Sequence, residues 1–469
     1  MSSLQELKNY ASFIDMSDGY ENASSVLEGL RNPELDIVDT PNEPLLWERP
    51  NQSDAITWMR KLRQKGLFDS QASDIAGGEP ISSYQLLKAE SQYSSRNRLA
   101  YNWVQMDQEL SLFYDAEQTL SASDLEIPLP DPRSLGDTRN ILQNSSLYMI
   151  DGLCQELKTK EVLGYKSHPT LNQMLKDLLH GTLTGRIPPQ HLQLLLHPLH
   201  ALVRHSQGLL SWANCSHSPV LSNTANSNLQ ETQRLLRAWY SLAMEASSEN
   251  TYMHDTRLGL ILYHFICLKQ VAAFPDIERL AGRENLSASF WQQSLQNERC
   301  VRSLQEPIFH CGQALRHLRA VSADTRPWWW PTAVHRAILT LWAVSILWPG
   351  SNNDEPKASA FSSWRQGSIG MEPETNMLTP EISIIAIDNI TPEDHVFSDP
   401  EWSEKHMLVL NCQGEGSVAL NDGMSILQYG VSLIHSFPSS FEGEAVVMKL
   451  KDVGQAWEGS SHGHVYYQD

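Results

Sequence analysis

Two carboxylates, Asp107 and Glu109, stand inside an otherwise apolar stretch that reads RLAYNWVQMDQELSLFYD (residues 98–115). A pair of carboxylates can serve as general acid and base, or can hold a divalent cation through oxygen ligands. On a helix, however, residues two apart point to different faces, so these two cannot easily flank one substrate bond. The chain also lacks the adjacent Asp pair of an aspartate-rich magnesium motif. We therefore predict that neither carboxylate is catalytic and that Asp107 caps or pairs at a helix junction, because a buried charge needs a partner.

A second group that could do chemistry lies between residues 191 and 217. It consists of four histidines followed by a cysteine and a further histidine: His191, His197, His200, His205, Cys215 and His217. His197 and His200 could share a helix face, but Pro198 stands between them, and zinc sites usually show tighter paired-ligand spacing. We predict that these histidines are satisfied core residues or polar helix ends, and that no metal is bound.

Two glycine-containing motifs match catalytic or nucleotide-binding patterns only formally. Residues 459–463 (GSSHG) fit G-x-S-x-G, yet a nucleophile elbow needs a strand before it, a helix after it, and an acid and a histidine further on. Residues 414–416 (GEG) lack the third glycine of a dinucleotide loop, and Glu415 would repel a pyrophosphate. We predict neither activity.

Three consecutive tryptophans, Trp328, Trp329 and Trp330, could stack on a planar ligand. Proteins that stack bases combine aromatic side chains with a positive groove, which Arg326 alone does not supply. We predict core or inter-helix packing for most of this cluster. The alternative is an effector or partner pocket lined by these tryptophans and His335.

Composition limits the classes of protein to which the chain can belong. Its 469 residues can bury a core large enough for two or three domains. The 35 basic residues against 55 acidic ones give a formal net charge of -20, which repels a phosphate backbone. The six cysteines contain no C-x-x-C pair, which favours reduced thiols over a disulfide framework or a zinc site.

Apolar periodicity divides the chain into four segments and predicts a mainly α fold, with few or no short strands near the C-terminus. Residues 1–83 are acidic and polar, which predicts a partly disordered segment with one short helix at Ala55–Leu67. Residues 84–349 carry the helical pattern and residues 350–380 the composition of a linker. Residues 381–469 are predicted to pack on the helical domain.

The helical segment contains several recognisable helices. One apolar stripe recurs at steps of four, three, four and three: Leu99, Trp103, Met106, Leu110 and Phe113. A helix over 187–210 is predicted to be kinked or broken at Pro198, and another to follow SNTANSN (222–228). The uncharged run 337–349 is too short to cross a bilayer, which predicts a buried core helix with Pro331 in its first turn.

The stretch around Asp107 also carries a family resemblance. The pattern R-L-x-x-x-W-x-x-x-D-x-x-x-S-L, then L-S, then an acidic turn into L-P, resembles the fungal-specific transcription factor regulatory domain, also called the middle homology region. The residues that match are Arg98, Leu99, Trp103, Asp107, Ser111, Leu112, Leu120, Ser121, Pro128 and Pro130. The resemblance covers roughly residues 90 to 450.

This resemblance implies a helical, nuclear regulatory domain that controls RNA polymerase II transcription, often of metabolic or secondary-metabolite genes, and implies that the chain is not an enzyme. Family members bind DNA through an N-terminal zinc finger. No C-x-x-C pair or basic stretch precedes Arg98, so we expect this chain to lack that finger, to hold no cofactor of its own, and to make no DNA or membrane contact. Its expected partners are proteins of the transcription machinery, with a homodimer left open. The rival hypothesis is a helical enzyme or small-molecule-binding protein of a biosynthetic cluster.

Overall fold

The computed structural model describes residues 83–120, 126–130, 169–216, 219–247, 253–282, 288–297, 300–301, 304–347, 383–390, 406–412, 416–436 and 440–462. The predicted helix at Ala55–Leu67, the predicted linker 350–380 and Ser121 lie outside these residues. Two compact units, Met1–Gly259 and Leu260–Asp469, divide the chain. The four-segment division drawn from the sequence stays a prediction.

Unit 1 is built from helices in its described part. They are α1 (Ser83–Phe113), α2 (Leu171–His180), α3 (Pro189–Ser216) and α4 (Pro219–Ser247), and α5 (Met253–Val271) runs across the boundary into unit 2. A single antiparallel bridge joins Pro128 to Thr170, with the Leu129 N–H donating to the Pro169 carbonyl at 3.0 Å. Residues 128 and 170, forty-two positions apart in the sequence, therefore lie side by side.

Unit 2 surrounds one buried helix. Its further elements are α6 (Phe274–Ala281), α7 (Ala288–Asn297), α8 (Gln305–Arg319), α9 (Trp330–Ile346), β1 (Ser383–Ala386), β2 (His406–Asn411), β3 (Ser417–Ala419), α10 (Gly423–His435) and α11 (Phe441–His462). Every residue of α9 except Thr332 is buried, and α6, α7, α8, α10 and α11 all pack against it. Pro331 lies in its first turn, as predicted. Gly430 of α10 permits a close approach, since a Cβ there would meet Ile338 of α9 at 2.8 Å.

Short strands near the C-terminus complete unit 2. β1 pairs in parallel with β2 in the register Ser383↔His406, and β2 pairs antiparallel with β3 in the register Val409↔Ala419. The predicted mainly α fold with short strands near the C-terminus is confirmed. No helix among the described residues is long and apolar enough to span a bilayer.

Burial on α1 extends further round the helix than the predicted stripe. Met106, Leu110 and Phe113 are buried as expected, whereas Trp103 is only half-buried. All residues from 106 to 113 are buried, which includes the polar ones. The last eight residues of α1 are therefore buried inside unit 1, where their polar side chains need hydrogen-bond partners within the protein.

Two helices in unit 1 differ in part from the sequence prediction. α3 runs through Pro198 without a break, so the predicted break is wrong, whereas the predicted kink stays a prediction. A proline inside a helix costs about 3 kcal/mol, and the burial of neighbouring Leu195, Leu196 and Leu199 offsets that loss. α4 begins at Pro219, so the SNTANSN stretch lies within the helix rather than before it. Pro219 supplies the first-turn proline that helices favour, and tertiary packing outweighs the weak helix propensity of Ser and Asn.

Candidate functional site

Asp107 is the centre of a buried polar cluster in unit 1, which we call the Asp107 cluster (Asp107, Thr119, Leu120 and His197). Only 2% of Asp107 is exposed. Its Oδ1 accepts hydrogen bonds from the backbone N–H of Thr119 at 3.0 Å and from Thr119 Oγ1 at 2.9 Å. Its Oδ2 lies 2.9 Å from His197 Nε2 and 3.4 Å from the Leu120 nitrogen. Because a carboxylate only accepts, the His197 Nε2 carries the proton.

Local chain geometry explains why donors gather at this carboxylate. α1 ends at Phe113, and Asp115 turns the chain with a left-handed φ of 53°, a conformation that Asp tolerates better than most residues. The chain then runs back beside α1, where the amides of Thr119 and Leu120 have no helical partner. Asp107 supplies the acceptor that these amides need.

Arg204 fixes the same turn from α3. Its Nη1 donates to Ser111 Oγ at 2.8 Å and to the Ala116 carbonyl at 2.9 Å. Gln118 Nε2 donates to the His197 carbonyl at 3.3 Å, which adds a second link between the turn and α3. The turn after α1 is thus held by the Asp107 carboxylate of α1 and by the Arg204 guanidinium of α3.

The Asp–His pair has the composition of part of a catalytic triad but not its arrangement. His197 is fully buried, and within the described residues its Nδ1 has no hydrogen-bond partner. Both oxygens of Asp107 already accept donors of the turn. A catalytic pair needs a nucleophile beside the histidine and access for a substrate. This geometry stabilises a helix junction, and Asp107 has the partner that its buried position requires.

The neighbouring carboxylate and histidines also make separate contacts. Glu109, 4% exposed, accepts from Gln105 Nε2 at 2.9 Å. His191 Nε2 lies 2.8 Å from the Pro130 carbonyl, while His200 is buried and His205 is exposed. Across the described residues, no group of three or more His, Cys, Asp or Glu side chains is placed to hold a metal ion. His217 lies outside those residues.

Three residues of the sequence motif, Asp107, Ser111 and Leu120, meet at the turn after α1. Tyr101, on the same helix, donates its hydroxyl to the Ile127 carbonyl at 2.5 Å, which ties the Pro128–Pro130 segment to α1. Ser111 receives Arg204, and Arg98 and Trp103 are half-buried on α1. Leu99 lies in α1, and its side chain is not described. The roles of these residues in the family pattern stay predictions.

In unit 2, Trp329 and Trp330 are buried at 0% and 3% exposure and Trp328 is half-buried. Trp330 Nε1 donates to the Leu318 carbonyl at 3.0 Å, and the Arg326 guanidinium lies 4.3 Å from the centre of the Trp330 ring. His335 is buried too. Burial, together with the nearby charges of Lys449 and Arg336, lowers its pKa to about 3, so it is neutral at pH 7. These contacts fit packing, and the predicted pocket stays a prediction.

The sequence did not indicate a second charged cluster, formed in unit 2 by Arg319, Asp388, Asn411 and Tyr429, which we call the Arg319 cluster. Arg319 Nη2 donates to Asp388 Oδ2, and its Nη1 donates to the Asn411 carbonyl at 2.6 Å and to the Tyr429 oxygen at 3.3 Å. Asn411 Nδ2 donates to Asp388 Oδ1 at 3.1 Å. Burial opposes the charge on Arg319, but Tyr429 and Asp388 outweigh it and raise the Arg319 pKa above its ordinary value. No sequence spacing links residues 319 and 388.

Unit 2 also holds three close histidines. The Nδ1 atoms of His264 (α5) and His310 (α8) lie 3.0 Å apart, and His317 stacks on His264 with ring centres 6.0 Å apart. One Nδ1 must donate and the other accept, so the pair is stable only with a neutral ring. Burial, followed by the charges of His310 and His317, lowers the His264 pKa well below its ordinary value, and burial lowers that of His310 to about 4.

Comparison with known proteins places the chain beside fungal transcription factors. It is 34% identical over 265 residues to Transcription factor 1 of Elsinoe fawcettii, across 55% of this chain and 27% of that protein. It is 29% identical over 412 residues to a transcription factor of Zymoseptoria tritici, across 83% of this chain and 40% of that protein. With Transcription factor PfmaH of Pestalotiopsis fici it shares 27% identity over 486 aligned positions, across 95% of this chain and 47% of that protein.

The chain therefore spans less than half the length of each of these relatives. No family model matches the chain. No solved structure matches it either. The resemblance to the fungal regulatory domain in particular thus stays a prediction, whereas the similarity to fungal proteins named transcription factors is a finding.

Proposed function

We propose that this chain is the helical regulatory part of a fungal transcription factor that controls RNA polymerase II transcription in the nucleus. The observation that carries this proposal is the alignment of 83% and 95% of the chain with two proteins named transcription factors. The target genes we propose are metabolic or secondary-metabolite genes, in line with the family resemblance. We also propose that the chain is not an enzyme, because Asp107 and His197, the residues best suited to chemistry, are engaged in holding a helix junction.

The same proposal makes protein partners, rather than DNA, the direct contacts of this chain. A formal net charge of -20 opposes approach to a phosphate backbone. The first cysteine of the sequence is Cys154, so the preceding residues offer no thiolate for a zinc finger. Zinc and base recognition would belong to a finger outside these residues.

A tethering experiment tests the regulatory role. The chain is fused to an unrelated sequence-specific DNA-binding domain and expressed in a fungal host with a reporter gene behind the matching sites. We expect reporter expression to differ from that with the DNA-binding domain alone. Asp107→Ala should abolish the difference, because it removes the acceptor that holds the turn after α1. Glu231→Ala, at a half-exposed Glu231–Arg234 ion pair, serves as the matched control and should preserve it.

Two outcomes would contradict the proposal. A wild-type fusion that is present in the nucleus at normal levels and yet leaves the reporter unchanged would argue against a regulatory role. Fluorescence anisotropy of the purified chain with a labelled DNA duplex should show no binding at low salt. Tight binding there would contradict the proposed division of labour, even if the reporter responded.

A further inference from the structure

The helical hairpin formed by α3 and α4 has an unusual tip. Only residues 217–218 separate the two helices, and Trp239 Nε1 of α4 donates to the Leu192 carbonyl of α3 at 2.7 Å near the opposite end, so the helices run antiparallel. From His205 to Gln230 the sequence contains no Asp, Glu, Lys or Arg. In a chain with a formal net charge of -20, this tip is an uncharged surface.

Large apolar side chains are exposed on this uncharged tip. Trp212 is 74% exposed and Val220 72% exposed. A single tryptophan buries about 150–250 Å² when it is covered, so leaving one in water is costly compared with other surface residues. Several large apolar side chains exposed at one hairpin tip, Trp212, Val220 and Leu221, indicate an interaction surface.

The exposed residues of α3 form a seam along one face of the helix. His205, Gly208, Trp212 and Cys215 are exposed and follow one another at steps of three, four and three, the spacing that keeps residues on one face in helix pairs. We call these four residues the tip seam. Gly208 leaves a gap in it, since a Cβ at this position would have no atom within 4 Å. The bulky Trp212 follows one turn later.

We propose that the tip seam binds the tip seam of a second copy of this chain. In a two-fold dimer with the α3 helices antiparallel and the axis near residue 210, Trp212 of each copy lies over Gly208 of the other. The two contacts are identical, so the seam is complementary to itself. Charge favours the same contact, because two strongly acidic chains repel each other least where neither carries charge. A seam about 15 Å long is shorter than a standard interface, so the dimer is weak, with a Kd of about micromolar.

Sedimentation equilibrium of the purified chain tests this proposal with two variants of the tip seam. Both should weaken the dimer, and one of them should at the same time stabilise the fold. Trp212→Lys should raise the dimer Kd by tenfold or more, on the order expected for an aromatic anchor. Phe441→Lys, at an 80% exposed aromatic residue of unit 2, is the matched control and should leave the Kd unchanged. Gly208→Leu fills the gap and should also weaken the dimer by about tenfold. It replaces glycine in a helix, so it should raise the thermal midpoint of the dilute monomer, which separates a lost dimer from a damaged fold.

Cross-linking gives a second measurement of the register. Ser211→Cys, close to the proposed axis, in a Cys215→Ser background should form a covalent dimer with a short bismaleimide. Ser241→Cys, at an exposed position of α4, should not form one. A chain that stays monomeric up to about 100 µM would overturn the proposal. So would a dimer that Trp212→Lys leaves intact, or capture of the tip by a different protein in place of a second copy. None of these outcomes bears on the proposed regulatory function.

Discussion

The Asp107 cluster of unit 1 and the Arg319 cluster of unit 2 both hydrogen-bond backbone groups beside the end of a helix or strand, but they do so with side chains of opposite charge. Where a chain leaves a helix or a strand, backbone groups lose their regular partners. In unit 1 the N–H groups of Thr119 and Leu120 lie beyond the end of α1, and a carboxylate accepts from them. In unit 2 the Asn411 carbonyl needs a donor, and a guanidinium supplies it.

Burial distinguishes the two clusters. The Asp107 side chain is 3% exposed and its partner His197 is fully buried. The Arg319 side chain is 16% exposed, whereas its partner Asp388 is 2% exposed. A charge that loses its partner costs more when water cannot reach it. We therefore expect the stability of unit 1 to depend on the Asp107 cluster more strongly than the stability of unit 2 depends on the Arg319 cluster.

Asp107→Ala should produce the largest loss of stability. It leaves the Thr119 amide, the Thr119 hydroxyl and the His197 N–H without their acceptor in a dry interior. We expect the free energy of unfolding of unit 1 to fall by about 3–5 kcal/mol. This free energy is measured by urea unfolding, with hydrogen exchange of the peptide 107–120 as the probe. Glu231→Ala should have little effect on the free energy of unfolding. If the two variants lost equal stability, the contacts of Asp107 would not stabilise the turn after α1.

Asp388→Ala should weaken unit 2 by a smaller amount. Arg319 keeps its bonds to the Asn411 carbonyl and Tyr429 and retains partial access to water. We expect a loss of about 2–3 kcal/mol. The control is Asp276→Ala, at a half-exposed Asp276–Arg279 pair, which should be close to neutral. A loss larger than that of Asp107→Ala, measured by the same urea titration, would reverse the ranking of the two clusters.

Acid should destabilise unit 2 through its neutral buried histidines. His335 titrates near 6.5 in the unfolded chain and, in the fold, has a pKa of about 3. Between these values the unfolded chain takes up a proton that the folded chain refuses, so stability falls as pH drops below about 6.5. At pH 5 this residue alone costs about 2 kcal/mol relative to pH 7.

A neutral replacement isolates this contribution. His335→Gln should lose about 2 kcal/mol less than the wild type between pH 7 and pH 5, as read from urea midpoints. The exposed His435 of α10 offers the control, and His435→Gln should follow the wild-type curve. If His335→Gln and the wild type lost stability equally on acidification, the assignment of His335 as neutral and buried would be wrong.

Gly312→Ala tests how closely the residue after β1 approaches α8. A Cβ at this position would lie 2.4 Å from the Ile387 carbonyl oxygen, which follows β1, so the backbone must shift. We expect a loss of about 1–3 kcal/mol. Gly208→Ala is the matched control in unit 1, where the space is open, and should be neutral or stabilising. An unchanged midpoint for Gly312→Ala would mean that the sheet sits further from α8.

The sequence predicted those features that depend on local pattern. The proline-initiated helix α9, the helical class and the short strands follow from periodicity and from the fixed φ of proline. The need of Asp107 for a partner also followed, because a charge inside an apolar run cannot stay unpaired. The identity of that partner did not, since His197 lies ninety residues away in the sequence.

Features that depend on packing could not be predicted from the sequence. The run of three tryptophans is visible in the sequence, whereas a tryptophan cluster formed by Trp291, Trp342 and Trp457 is not, although two of its ring centres lie 4.8 Å apart. α3 passes through Pro198 because buried leucines on both sides outweigh a local cost. In both cases long-range contacts decided the outcome, and a single sequence does not display them.

The bridge between Pro128 and Thr170 has a consequence for how this protein tolerates change. Residues 128 and 170 lie forty-two positions apart in the sequence but side by side in the fold. The entropy of closing the chain between two paired positions changes only with the logarithm of the number of residues between them. A change in the number of residues between positions 130 and 169 should therefore cost little closure entropy, provided that the bridge itself is kept.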